Sequence, residues 1–175
     1  MPGLEVVGLS DVAPFDEPAE TGATFEENAL IKARACFEAT GMPSVADDSG
    51  LCVDALNGMP GVLSARWSGA GDDANNRLLL TQLADVPDER RGAAFVAAVA
   101  LVWPGGEIVT MGRMPGRILH AEHGDGGFGY DPIFVADGNT MSNGELSPSD
   151  KDAISHRGQA LRALAPEIAV ALGEP

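Results

Sequence analysis

Residues 24–50 read TFEENALIKARACFEATGMPSVADDSG. Thr24-Phe25-Glu26-Glu27 is a capping-box pattern, in which the threonine hydroxyl caps a helix while Glu27 reaches back to the cap. Phe25, Ala29, Ala33 and Phe37 follow at helical spacing and give one apolar face. Thr24, Asn28 and Lys32 form a polar line beside it, and Gly41 supplies the stop. Pro43 to Ala46 then reads as a short buried strand that ends in Asp47-Asp48-Ser49-Gly50. A helix that passes its chain to a strand is the building unit of an α/β domain, and the same alternation continues outward.

Upstream, Leu4 to Leu9 reads as a short strand or its tail. Ser10 to Ala23 is an acidic, proline-bearing loop. Downstream, Gly58 to Gly61 is a turn, and Asp72 to Asp85 is a helix with Leu79 and Leu83 four apart. Ala93 to Trp103 reads as a long strand, with a buried helix as the alternative because alanine is frequent there. Pro104-Gly105-Gly106 makes a hairpin turn into Glu107 to Gly112. Arg117 to Glu122 and Ile133 to Val135 are further strand candidates. Ser147-Pro148 opens a short helix. A longer helix starts at Ser155, with Leu161, Leu164, Ile168 and Leu172 at spacings of three and four. Pro166 is expected to kink it or break it in two. With no repeat, linker or low-complexity tract, residues 1–175 are expected to form one domain.

The chain has 175 residues and a net charge of −15, from 11 basic and 26 acidic side chains. That charge repels phosphate backbones and anionic bilayers, so nucleic-acid polymers and membranes are not expected partners. A small phosphorylated ligand remains compatible, because a divalent cation can bridge acid to phosphate. Two cysteines, Cys36 and Cys52, give no disulfide framework, and a reducing cytoplasm is expected. No basic and apolar leader is visible, and the run from Ala93 to Trp103 is too short to span a bilayer as a helix. Lysine occurs only twice, at Lys32 and Lys151.

Three constellations bear chemistry. The carboxylates of Asp47-Asp48, beside Ser49 and Gly50, suit a hard cation. Neighbours on a strand point to opposite faces, so one of the two acids enters a cleft; the alternative is an aspartate-rich surface turn. Glu20, in the acidic loop, either completes a carboxylate metal site with Asp48 or is simply solvated. Gly124-Asp-Gly-Gly-Phe-Gly129 matches the three-glycine dinucleotide fingerprint literally, but Tyr130-Asp131-Pro132 and an apolar run follow where a helix should open. Those glycines instead let backbone approach a flat ligand, with Phe128 or Tyr130 as a stacking face or as a core aromatic. Lys151 and His156-Arg157 make a cationic patch suited to phosphate or to the keto oxygens of a base. His156 is alternatively only a neighbour of a helix cap. His120 and His123 read as surface residues, and Cys36 as core.

Taken in order, five blocks resemble the inosine/xanthosine triphosphate pyrophosphatase family. They are Glu20 to Arg34, Ala46 to Leu51, Gly58 to Gly69, Gly127 to Phe134, and Glu145-Leu-Ser with Lys151 and Ile154 to Gly158. The resemblance implies an elongated mixed sheet flanked by helices, in two lobes with the active-site cleft between them. It implies hydrolysis of ITP, dITP and XTP to monophosphate and pyrophosphate with Mg2+, in a homodimer. Asp48 matches the family's catalytic acid, which activates water and contacts metal. Glu20 lies where the metal-site glutamate is expected, Ser49 matches a substrate contact, and Lys32 a phosphate-facing lysine. Phe128, Gly129, Tyr130 and Asp131 match the base-binding loop, with Phe128 as the stacking ring. Lys151, His156 and Arg157 match the remaining substrate contacts.

The sequence departs from the family pattern at its start. Members of that family begin with a strand and a Thr/Ser-x-Asn-x-x-Lys loop that binds the triphosphate, and no Asn or Lys precedes Asn28 here. The domain is thus expected to be N-terminally incomplete, with impaired folding, triphosphate binding and turnover. Two other classes follow: a catalytically silent nucleotide-binding protein, and an acidic cation-binding module. The second leaves the Phe128 loop and the Lys151–Arg157 cluster without a role.

Overall fold

The computed structural model describes residues 4–173. The chain runs α1 (Phe25–Thr40), β1 (Ser44–Val53), α2 (Asp72–Gln82), β2 (Gly92–Trp103), β3 (Gly106–Ile118), β4 (Phe134–Ala136), α3 (Pro148–Ile154) and α4 (His156–Ala171). The strands form one sheet in the order β1-β2-β3-β4, and each neighbouring pair is antiparallel. The α/β reading therefore holds, with helices packed on a four-stranded sheet that, among the described residues, is antiparallel throughout and not mixed.

The sequence of β2, GAAFVAAVALVW, explains the layering. Almost every residue of it is buried, which requires cover on both faces. On one face Ala98, Ala100 and Val102 pack with Phe25, Ala29 and Ala33 of α1. On the other, Val99 and Leu101 pack with Ala160 and Leu164 of α4. Alanines at these positions let both helices lie close to the strand, where dense contact is most favourable. A third cluster joins Leu51, Val53, Phe95 and Met114 to Leu79 and Leu83 around α2, and to Tyr130, Ile133 and Phe134 beyond the glycine-rich loop.

Several boundaries differ from expectation. Leu4 to Gly8 form no strand, and a single 3-10 turn follows at Leu9–Asp11. Val6 is 85 % exposed, so the segment has no apolar surface to pair against. Strand β1 does not stop at Asp47-Asp48 but runs on to Val53, because each acid is accommodated on its own face. The strand expected at Glu107 to Gly112 runs on through Pro115 to Ile118 as β3, and of the strand expected at Arg117 to Glu122 only Arg117 and Ile118 belong to it, residues 119–122 being loop. Pro115 accepts an extended backbone, and its carbonyl takes the Asp137 N–H at 2.9 Å. Helix α4 runs through Pro166 unbroken. That proline is exposed, as is Arg162, whose carbonyl loses its partner there and faces water. Among the described residues, no helix is long and apolar enough to cross a membrane.

Candidate active site

The N-terminus of α1 organises the first half of the site. Thr24 Oγ1 accepts the Glu27 N–H at 3.2 Å, as a cap should. The Glu27 carboxylate reaches back one residue further than the pattern implies and accepts the Ala23 N–H at 2.6 Å. Asn28 Oδ1 accepts the Gly22 N–H at 2.8 Å. These bonds stitch the acidic loop to the helix and bring Glu20 over Lys32, two turns along α1.

Lys32 Nζ donates to Glu20 Oε1 at 2.8 Å and to Asp48 Oδ1 at 3.0 Å. Asp48 Oδ2 accepts from Asn28 Nδ2 at 3.1 Å, and Glu20 Oε2 accepts from Arg66 Nη1 at 3.3 Å. Gly50 allows this closure. A Cβ there would strike the Ser64 hydroxyl and the Gly61 carbonyl, so only glycine lets β1 lie against the 3-10 segment Gly61–Arg66 that delivers Arg66. Burial pushes the Asp48 carboxyl above the ordinary carboxylate range, although the bonds from Lys32 and Asn28 oppose this. Glu20 moves the other way, held below its usual value chiefly by its bond from Lys32. Burial disfavours the charged Lys32 amine, yet its two carboxylate partners outweigh that and raise it.

The strand register separates the paired acids. Asp48 stands opposite Ala98, on the face covered by α1; Asp47 stands opposite Val99, on the face covered by α4. Ser49, opposite Ala97, shares Asp47's side of the pleat and not that of Asp48. Arg157, near the start of α4, donates from Nε to Asp47 Oδ2 at 2.8 Å. Its guanidinium also lies 5.4 Å from the centroid of the Phe128 ring, and Lys151 Nζ lies 4.2 Å from the same centroid. Phe128 is 57 % exposed, so its ring is available to a flat ligand while two cations flank it.

The loop carrying Phe128 is fixed from behind. Asp131 is buried; it accepts the Phe128 N–H at 2.7 Å, pairs with Lys151, and takes Asn143 Nδ2 at 3.3 Å. Gly127 has φ +76°, and a Cβ on it would strike the Asp131 carboxylate. The Gly129 N–H is held by Asp72 Oδ2 at 2.9 Å and its carbonyl by Asn76 Nδ2 at 3.1 Å, both from α2. Tyr130 presents no stacking face: its ring is buried in the core and its hydroxyl donates to the Ser64 carbonyl at 2.9 Å. His156 is also buried, stacked on Phe95 at 5.1 Å between centroids, with Nδ1 unpartnered. Burial first, then the nearby Arg157 and Lys151 charges, lower its pKa to about 4.

The structure thus gathers Glu20, Lys32 and Asp48 into one cluster, and Phe128, Asp131, Lys151 and Arg157 into a second. Adjacent residues of β1 join the two. Sequence reasoning gave no site role to Asn28, Arg66, Asp72 or Asn143. Asn28 stood in the polar line of α1, and Arg66 is a rare base in an acidic chain; Asn143 and Asp72 carry no comparable signal. His120 and His123 are exposed, with His120 paired to Asp88. Cys36 is only partly buried.

Residues 2–167 match the model of the Ham1 family. A dITP/XTP pyrophosphatase of Nocardia farcinica is 66% identical over 170 residues, which cover 95% of this chain and 82% of that protein. The dITP/XTP pyrophosphatase of Mycobacterium tuberculosis strain H37Rv is 62% identical over 168 residues, with 95% and 82% covered. Among solved structures, a nucleoside-triphosphatase / dITP/XTP pyrophosphatase from Mycobacterium abscessus superposes with a TM-score of 0.81 at 60% identity, covering 95% of this chain and 87% of that one. The Ham1 protein of Staphylococcus aureus gives a TM-score of 0.89 at 39% identity, with 95% and 88% covered.

Proposed function

The chain belongs to the Ham1 family, and from that premise we propose how its residues divide the work of a nucleoside-triphosphate pyrophosphatase. It hydrolyses deaminated purine nucleoside triphosphates, ITP, dITP and XTP, to monophosphate and pyrophosphate, which removes them from the nucleotide pool. The observation that carries the assignment of roles is the Glu20–Lys32–Asp48 cluster, whose strand neighbour Asp47 pairs with Arg157, one of the two cations that flank the Phe128 ring.

Asp48 is the base that takes a proton from the attacking water. Asn28 holds the second oxygen of the carboxylate and fixes its direction. Lys32 supplies positive charge to the phosphate end. Glu20 and Asp48 together suit Mg2+, which takes one or two carboxylates from the protein and further oxygens from the phosphates. Among the described residues no three His, Cys, Asp or Glu side chains gather around one point, and a two-carboxylate site of this kind needs no third. When bound, Mg2+ would offset the triphosphate charge and polarise the phosphorus under attack.

Phe128 stacks on the purine, and Lys151 and Arg157 offer donors to its 6-keto oxygen. A buried donor faced with the amino group of adenine would be left unpaired, which disfavours ATP. Asp131, Tyr130 and Gly129 shape the loop, Ser49 contributes a hydroxyl on the Arg157 side of β1, and His156 supports the start of α4 as a neutral ring. The protein is further proposed to act as a cytoplasmic homodimer, a reading that rests on the family resemblance and the acidic, cysteine-poor composition. Sedimentation tests the dimer. For the reaction, ITP, dITP, XTP, ATP and GTP are compared with Mg2+ present. Pyrophosphate release from the first three, well above ATP, is expected; orthophosphate as the first product, or equal turnover of ATP, would contradict it.

A further inference from the structure

The Lys32 ammonium bridges the two carboxylates proposed for the phosphate end. Each carboxylate has one oxygen committed to a fixed donor: Asn28 holds Asp48 Oδ2, and Arg66 holds Glu20 Oε2. The remaining oxygens, Asp48 Oδ1 and Glu20 Oε1, converge on one atom, Lys32 Nζ, at 3.0 and 2.8 Å. The lysine side chain is largely buried there, 19% exposed, so the ammonium is not a passing surface partner. The Asp48 carboxylate is oriented by the buried Asn28 independently of the lysine, and Glu20 has the half-exposed Arg66 as a second partner.

From this we infer that Lys32 is a built-in stand-in for the divalent cation: the ammonium and the metal compete for the same two oxygens, and one must leave for the other to bind. The inference rests on the reading of Glu20 and Asp48 as the metal-binding pair. Its consequence is an order of events. The free protein holds divalent cations weakly, because entry means breaking two part-buried ion pairs. A metal–triphosphate complex offers Lys32 new anionic partners at the moment it is displaced, so metal and nucleotide enter together. The lysine thereby serves twice, first bridging the two carboxylates and then neutralising phosphate.

The test is Mn2+ binding to the free protein at mildly alkaline pH, by calorimetry or electron paramagnetic resonance, with no nucleotide present. Lys32→Met removes the competing charge and is expected to tighten Mn2+ binding about tenfold, the order of magnitude of two part-buried ion pairs no longer opposing it. Glu20→Gln in the Lys32→Met background is expected to abolish that gain. Equal affinity of wild type and Lys32→Met, with binding still lost on Glu20→Gln, overturns the competition while leaving the metal pair intact. Binding indifferent to Glu20→Gln and to Asp48→Asn overturns the metal pair, and the inference falls with it. Circular dichroism checks that each variant is folded; Lys32→Gln, equally uncharged and more polar, repeats the measurement if the methionine variant does not fold.

Discussion

Burial holds the His156 imidazole neutral, with its pKa lowered to about 4 from an ordinary 6.5. Protonation is therefore easier in the unfolded chain than in the folded one. The stability contributed by the neutral ring is fully present above about 6.5 and is lost as pH falls toward 4; the shift corresponds to about 3 kcal/mol. Replacing the ring by phenylalanine keeps the stack on Phe95 and removes the titration. His156→Phe is expected to show a shallower fall of stability across that window in denaturant melts; an unchanged slope would contradict the assignment. Asp48 moves in the opposite sense. Burial raises its carboxyl above the ordinary aspartate value, against the bonds from Lys32 and Asn28. At this scale the sequence singled out residues that the fold gathers into two clusters, and it was less informative about what they touch. Tyr130 sits in a loop rich in ligand-binding cues, yet its hydroxyl is spent on the Ser64 carbonyl, a contact between residues 66 apart that no local pattern encodes.

Helix α1 was legible because its signals are local: a capping threonine, an apolar repeat and a terminal glycine lie within one stretch of chain. Thr24→Ala should therefore cost about 1 kcal/mol in a melt, the usual worth of such a cap. Strand β1 was read too short because paired aspartates favour turns in isolation. What keeps them in a strand is tertiary: Asn28 and Lys32 from α1 on one face, Arg157 from α4 on the other. Arg91 was invisible for the same reason. It is 1% exposed, and its guanidinium donates to the carbonyls of Leu83, Val86, Ile118 and Leu119, tying the end of α2 to the end of β3. Arg91→Met removes the buried donors to the Leu83 and Ile118 carbonyls and the part-buried ones to Val86 and Leu119, and should destabilise by about 3 kcal/mol in urea unfolding. A loss below about 1 kcal/mol would show that the four bonds are replaceable.

Across the whole molecule, a net charge of −15 conceals a small positive region. Both lysines of the chain and Arg157 stand at the two clusters, and each is tied to a carboxylate. The sheet explains how one strand serves both: alternate residues of β1 face α1 and α4, so Asp48 belongs to the Lys32 cluster on one face and Asp47 pairs with Arg157 on the other. Phe128→Ala should raise KM for ITP by roughly tenfold or more with a smaller effect on kcat, since stacking on a base is worth about 1–3 kcal/mol. An unchanged KM would remove Phe128 from the base site. The measurement that bears most directly on the whole account is pyrophosphate release from ITP by Asp48→Asn beside the wild type, with Mg2+ saturating and folding verified. Loss of a positioned general base predicts a fall in kcat of about a hundredfold or more. Turnover within a few-fold of wild type would show that Asp48 is not the base, and the mechanism built on the Glu20–Lys32–Asp48 cluster would fail.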